Sequence, residues 1–164
     1  MARINHIEKE SFSGIPRRII EHPSFKSLSY SASKLLILLG YQYRGNNNGN
    51  LVITWSLMKG WFGSNTTMFK ARDCLYEAGF IVINAYGGRS GNGTKLPHLY
   101  ALTWAPIDPL KGDSNWMRYT HYAAKKAPLS YWKYGVNPDV KTKKERDNQF
   151  KKDVNKIKKT SISY

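Results

Sequence analysis

Residues 64–85 constrain the fold most, because a well-bounded helix there leads straight into an extended run. Ser64 can cap the helix and Gly79 can end it. Four apolar residues between them recur at i, i+3, i+7 and i+10 and share one helical face: Met68, Ala71, Leu75 and Ala78. The run that follows, residues 80–85, is rich in β-branched side chains. The sequence therefore predicts a helix over about 65–78 and then a strand.

A second extended run, residues 99–104, follows a loop over 86–98 that contains Gly87, Gly88, Gly91 and Gly93. Two strands that flank a glycine-rich loop predict a β-hairpin. The loop is not a phosphate-binding P-loop, because it lacks the Gly-Lys-Ser/Thr ending and does not precede a helix.

Upstream, apolar residues at helical spacing predict a helix over residues 29–43, capped by Ser29 or Ser31 and ended near Gly45. Residues 51–53 are typical of a short strand. We expect Thr54 to cap a second helix over about 55–61, and a tight turn at 62–63 to separate it from the helix that starts after Ser64.

The predicted order is helix, short strand, helix, tight turn, helix and hairpin. In this order the chain resembles the winged helix-turn-helix superfamily, in the branch found in small phage, plasmid and prokaryotic regulators and replication proteins. The resemblance covers about residues 12–108 and is carried by LSYSASKLLILLGYQYRG, NNNGNLVITWSLMKGWFGSNTTMFKARDCLYEAGFIVI and LYALTWAPID. It implies an α+β fold with a three-helix core and a β-hairpin wing, and it implies that the chain can dimerise, with the stretch after Pro109 as the expected place.

Four regions are expected along the chain. Residues 1–14 are predicted to be an N-terminal arm, 15–108 the winged helix-turn-helix domain, 109–138 an aromatic extension and 139–164 a basic tail. The extension carries several tyrosines and tryptophans without a clear period, so it either packs back on the domain or contacts a partner.

The chain has 26 lysines and arginines against 11 acidic residues, a formal charge of +15. So many positive side chains repel one another in the folded protein unless a polyanion is near, and nucleic acid is the natural candidate for that polyanion. The longest apolar run, residues 35–39, is too short to span a membrane, and the first residues lack a secretory apolar region. The single cysteine, Cys74, excludes an intramolecular disulfide framework. We therefore expect a cytoplasmic protein in a prokaryotic or phage-infected cell.

The third helix and the hairpin hold the predicted DNA contacts. Small polar residues in the first helical turn leave free backbone N–H groups for a phosphate, and Asn65 and Thr66 can reach base edges. Lys70 faces away from the apolar side, Arg89 can enter a minor groove, and Lys95 can neutralise a phosphate. The full predicted set is Ser64, Asn65, Thr66, Thr67, Lys70, Arg72, Arg89 and Lys95.

Simpler interpretations of the same residues stay open. Residues 64–67 can serve only as a helix cap, and the glycine-rich loop can be an ordinary solvent-exposed turn. Arg72 lies near the edge of the buried face. Phe69 can contact thymine methyl groups or can cover the second helix.

The sequence offers no pattern typical of an enzyme, a metal site or a cofactor site. None of the four histidines has helical zinc-pair spacing with a nearby acid: His6, His22, His98 and His121. The leading hypothesis is a duplex DNA-binding regulator or replication-initiation accessory of a phage, plasmid or other mobile element. A second hypothesis is a protein-binding module that acts through residues 116–134 and the tail, such as an inhibitor or subunit of a nucleoprotein complex, including an anti-defence protein. A third is a single-stranded nucleic-acid binder in which aromatic side chains stack on bases.

Overall fold

The computed structural model describes residues 13–110 and 122–140. These residues form an α+β fold of five helices and small antiparallel sheets. Nearly all of the predicted N-terminal arm, residues 111–121 of the aromatic extension and the tail from residue 141 lie outside the described residues.

Two short helices, α1 (Arg17–Ile20) and α2 (Pro23–Lys26), precede the long helix α3 (Tyr30–Gln42). Of the two serines proposed to cap α3, Ser29 does so: its Oγ accepts the Ala32 N–H at 3.2 Å. At the other end the Asn47 side chain donates to the Gln42 carbonyl at 2.8 Å. The helix therefore ends at Gln42, a few residues before Gly45, near which the sequence predicted its end.

The next two helices are α4 (Trp55–Met58) and α5 (Asn65–Glu77). Ser64 and Gly79 bound α5 as predicted, and Gly79 has the positive φ of +76° that favours glycine after a helix. The prediction for α4 was wrong in two respects. The helix stops at Met58 rather than near Trp61, and Thr54 makes no side-chain cap, because its hydroxyl bonds to Ser56 Oγ instead.

The main sheet contains β1 (Leu51–Val52), β2 (Ile81–Ala85) and β5 (Leu99–Leu102) in the antiparallel order β1-β5-β2. The hairpin predicted between residues 80 and 104 is confirmed, since β2 pairs with β5. Its tip is a separate two-stranded ribbon of β3 (Gly88–Arg89) and β4 (Lys95–Leu96).

The main core lies between α3, α5 and one face of the sheet. From α5 it takes Met68, Ala71 and Leu75, all buried as the helical spacing predicted. The matching face of α3 is also buried: Ala32, Leu35, Leu36 and Leu39. Removal of this apolar surface from water is the main favourable term in folding.

Residues 122–140 cover the other face of the sheet. Val82, Ala101 and Ile107 form a second apolar cluster there, against partly buried Leu129 and Tyr131. The segment is held by backbone hydrogen bonds from Ser130 to Thr103 (2.7 Å) and from Asn137 to Glu77 (2.9 Å). Because both faces are covered, every residue of β5 is buried and the usual alternation of buried and exposed positions is lost.

A buried asparagine, Asn48, joins the loop after α3 to the end of the sheet. Its Nδ2 donates to the carbonyls of Leu102 (2.9 Å), Ala105 (3.2 Å) and Pro106 (2.8 Å), and its Oδ1 accepts the Leu102 N–H at 2.7 Å. Its backbone N–H donates to the Asp108 carboxylate at 2.8 Å, and its carbonyl accepts the Asp108 N–H at the same distance. One side chain thus satisfies polar backbone groups that would otherwise be buried without partners.

The neighbouring residue, Gly49, allows a second asparagine to enter the same region. Asn84 lies at a β-bulge between Ile83 and Ala85, and its Nδ2 donates to the Gly49 carbonyl at 3.2 Å. A Cβ on Gly49 would lie 2.7 Å from that Nδ2, and its φ is +115°. Glycine is therefore required here, and the bulge is what turns the Asn84 side chain inward.

Replacing Asn48 by alanine should strongly destabilise the fold. The change leaves buried backbone groups without partners, each costing about 1–3 kcal/mol, so we expect a loss of about 3 kcal/mol or more in the free energy of unfolding by urea denaturation. Asn46→Ala, at an exposed position of the same loop, is the control and should change it by less than about 0.5 kcal/mol. Equal losses in the two variants would contradict this role for Asn48.

Candidate nucleic-acid interface

The N-terminal turn of α5 is polar, exposed and well capped. Ser64 Oγ accepts the Thr67 N–H at 3.1 Å and lies 3.0 Å from Thr67 Oγ1. Asn65, Thr66 and Thr67 are exposed. The first hydrogen bond of the helix is donated by Met68 to the Ser64 carbonyl, so the amides of Asn65 and Thr66 precede the ladder. Ser64 is thus a cap, and the exposed groups that can meet a ligand are those of the next residues.

The outward stripe of α5 changes sign along its length. Thr66, Lys70, Asp73 and Glu77 are all exposed and follow the i, i+4, i+7, i+11 spacing of one helical face. The N-terminal half of the stripe is neutral to positive, and the C-terminal half is negative. An anionic ligand is therefore favoured only at the first half of the helix.

Arg72 lies in different surroundings from Lys70. Its guanidinium bonds to Asp73 Oδ1 through Nε at 2.8 Å and Nη2 at 2.6 Å, and it lies 4.8 Å from the centroid of the Phe69 ring. Phe69 is therefore covered by an arginine of its own helix. Much of the Arg72 charge is neutralised by Asp73. Among the predicted contact residues, Arg72 is therefore expected to attract a phosphate more weakly than Lys70 does.

The tip of the hairpin brings two cations together. Arg89 and Lys95 are exposed and are direct cross-strand partners in the β3–β4 ribbon. The turn between them is closed by hydrogen bonds from Ser90 N–H to the Thr94 carbonyl and from Gly93 N–H to the Ser90 carbonyl, both 2.9 Å. Like charges directly opposite each other destabilise a strand pair, so an anion near this tip would relieve a repulsion that is built into the hairpin.

The base of the hairpin is fixed by a histidine. His98 Nδ1 accepts the Gly87 N–H at 2.8 Å, and the ring contacts Tyr86 and Tyr100 edge to face at centroid distances of 5.7 and 6.5 Å. Burial, with a smaller contribution from Arg72, lowers the pKa of His98 below its usual value of 6.5. The imidazole is therefore neutral at pH 7, as its acceptor role requires.

Two exposed residues at the turn before α5 were missed by the sequence analysis. Because α4 ends early, Lys59 and Trp61 lie outside it, and Trp61 is 54% exposed. Leu57 on α4 is also exposed, although its side chain is apolar. A glycine before Trp61 and another at position 63 were the sequence features that favoured a shorter helix here.

No group of three or more histidine, cysteine or acidic side chains in the described ranges could hold a metal ion. Within those ranges no helix has the length and apolar character needed to cross a membrane. No protein-family model, curated protein or solved structure matches the chain. The geometry itself must therefore support any functional proposal.

Mutations can distinguish the capping role of Ser64 from the role of the exposed residues that follow it in α5. Ser64→Ala removes the acceptor for the Thr67 N–H and should lower the free energy of unfolding by about 1 kcal/mol. Thr66→Ala, two residues later and exposed, should lower it by less than about 0.5 kcal/mol. Thermal and urea denaturation check both values. A destabilised Thr66→Ala protein would show that this turn is held by contacts other than the cap.

Stability should depend on pH through His98. Since its pKa is lower in the folded state, the unfolded chain binds more protons, and stability falls as the pH drops below about 6.5 toward the folded-state pKa. In His98→Asn the Oδ1 atom can still accept the Gly87 N–H, and this titration is removed. We therefore expect a melting temperature that falls less between pH 7.5 and 5 in the variant than in the parent chain. If the melting temperature fell equally with pH in the variant and in the parent chain, His98 would not contribute to the pH dependence of stability.

Proposed function

We propose that the chain is a winged helix-turn-helix protein that binds duplex DNA, with α5 in the major groove and the β3–β4 ribbon as the wing. The element order α3, β1, α4, α5, β2 and β5 supports this proposal, as does the pairing of β2 with β5 beneath the ribbon.

The observation that carries the proposal is the pairing of Arg89 with Lys95 at an exposed hairpin tip. A stable monomer gains nothing from opposed cations, whereas a DNA backbone or a narrow minor groove gives both an anionic partner. Together with the formal charge of +15, this favours a polyanion over an uncharged ligand.

The sign change along α5 indicates how the helix would be oriented. Its 13 residues span about 20 Å, more than the groove width of about 12 Å, so only part of the helix need enter. Asp73 and Glu77 would be repelled by phosphates, which favours a complex with the N-terminal half in the groove. Asn65 and Thr66 would then read base edges, where a bidentate asparagine–adenine pair contributes about 1–3 kcal/mol of discrimination.

The biological role that we propose is regulation or replication initiation in a mobile element, without catalysis. For the alternative of a protein-binding module, the aromatic side chains of the described part of the extension give limited support. In the described part of residues 116–134, Trp132 is buried in the protein's own core and Tyr131 packs on the second cluster, which leaves Tyr134 exposed.

Removing one phosphate-contacting cation should weaken binding and flatten its salt dependence. For Lys70→Ala and for Arg89→Ala, we expect weaker binding of a duplex pool and a plot of log K against log salt that is shallower by about 1. Gel-shift titrations at several salt concentrations measure both quantities.

The matched control is Lys133→Ala. Lys133 is exposed in the turn that packs beside Gly79, at the opposite end of α5 from the proposed contacts, and its loss should leave the salt slope within error. If Lys133→Ala reduced binding as much as Lys70→Ala, the charge of the protein rather than this surface would be responsible. Preference for a single-stranded probe over a duplex would contradict the major-groove proposal.

A further inference from the structure

The outward face of α3 is left open to solvent within the described residues. Tyr30, Lys34, Ile37 and Tyr41 follow one another at i, i+4, i+7 and i+11, a spacing that places their side chains on one helical face. All four are exposed, and the accessible fraction is 96% for Tyr30, 52% for Ile37 and 73% for Tyr41. Three large apolar or aromatic side chains on one surface are typical of an interaction site, and we call these four residues the α3 stripe.

The α3 stripe also contains a cation that no described carboxylate neutralises. Arg72 and Asp73 form the one ion pair among the described side chains, so Lys34 has no acidic partner there. The Lys34 Nζ lies 5.8 Å from the centroid of the Phe62 ring, which is its printed neighbour across the surface. A segment that covers this stripe with complementary chemistry would therefore carry both apolar and acidic side chains.

The chain runs along the edge of the α3 stripe at its first described residue. Ser13 Oγ donates a hydrogen bond to the Ile37 carbonyl at 3.2 Å. A Cβ on Gly40 would lie 3.0 Å from the Ser13 Oγ and 3.9 Å from the Gly14 carbonyl oxygen. Glycine weakens the interior of a helix, and at this position its missing side chain lets the incoming chain cross α3 at close range.

Residues 1–12, the N-terminal segment, lie outside the described residues and join the structure at Ser13. Two of the chain's 11 acidic residues fall within five positions of that junction, although the chain as a whole is strongly basic. The segment thus combines the two kinds of side chain that the α3 stripe calls for. They are the apolar residues Ile4, Ile7 and Phe12 and the acidic residues Glu8 and Glu10.

The N-terminal segment is long enough to reach the whole stripe. At about 1.5 Å per residue, the helix measures about 17 Å from the first to the last stripe residue. Twelve residues reach about 40 Å when extended and about 18 Å when helical, so either conformation suffices. Lys34 lies about one helical turn from Ile37, whose carbonyl Ser13 contacts, so a carboxylate a few residues before Ser13 can approach it.

A second copy of the chain fits the α3 stripe less well. Two antiparallel α3 helices would match their stripes only around a twofold axis near residues 35–36. The two Lys34 side chains would then start within about 5 Å of each other along the helix axes, and like charges in such a contact repel. The formal charge of +15 on each chain also opposes self-association.

We propose that the N-terminal segment docks on the α3 stripe of its own chain, with Phe12 over Ile37 and Tyr41 and with Glu10 beside Lys34. Docking removes an apolar helix face from water and gives the lysine a counter-charge. None of the predicted DNA contacts takes part, so the docking stands or falls independently of DNA binding.

The reactivity of two matched tyrosines tests the proposal. Tyr41 and Tyr134 are 73% and 77% exposed in the described structure, so without a cover they should be nitrated by tetranitromethane at similar rates. We expect peptide mass spectrometry of the full chain to show several-fold slower nitration of Tyr41. Phe12→Ser should raise the Tyr41 rate toward that of Tyr134. Equal rates for the two tyrosines in the parent chain would overturn the proposal.

The charge pairing is tested by a double-mutant cycle on the same rate. Glu10→Gln should speed nitration of Tyr41, whereas Glu21→Gln, at an exposed position that ends α1, should not change it. In a Lys34→Gln background, Glu10→Gln should have no further effect, because its partner is already gone. An equal effect of Glu10→Gln in both backgrounds would contradict the pairing.

Disulfide cross-linking shows which chain supplies the cover. In a Cys74→Ala background, Phe12→Cys combined with Tyr41→Cys should form an intramolecular disulfide under mild oxidation, since docking brings the two positions together. Phe12→Cys combined with Ala124→Cys is the control and should not cross-link, because residues 122–140 cover the face of the sheet opposite α3. A covalent dimer would show that a second copy provides the cover. That outcome, or no cross-link at all, would overturn the proposal.

Discussion

The side chain of Asn48 is the interaction on which the arrangement of the sheet depends. It holds the end of β5 and the chain after it to the loop that leads from α3 into β1. β5 is the central strand, so its position fixes both β1 and β2, and through His98 it fixes the base of the hairpin. A polar residue in this place gives directional bonds, which an apolar side chain of the same size could not provide.

The helix α5 packs against this sheet and has two surfaces with different chemistry. Its buried face joins the main core, while its exposed stripe passes from neutral and positive residues to acidic ones within four helical turns. Arg72 separates the two halves, because it pairs with Asp73 and shields Phe69. A single helix in this way presents surfaces of different charge at its two ends.

Local features of the chain predicted α5 and the hairpin well, because a cap, a glycine stop and a β-branched run act over a few residues. The role of Asn48 could not be found in the same way. Its neighbours Asn46, Asn47 and Asn50 look alike in sequence, and its partners lie 54 to 60 residues away. The end of α4 was misjudged because glycine weakens a helix without marking its last residue.

The covering of the sheet by residues 122–140 has a consequence for synthesis of the protein. Trp132 belongs to the main core, and Asn137 bonds to the last residue of α5, so both arrive long after α5 has left the ribosome. Until then Val82, Ala101 and Ile107 have no cover from this segment. The nascent chain therefore exposes an apolar sheet face during translation, and α5 and the hairpin reach their final packing only when the segment that follows them docks.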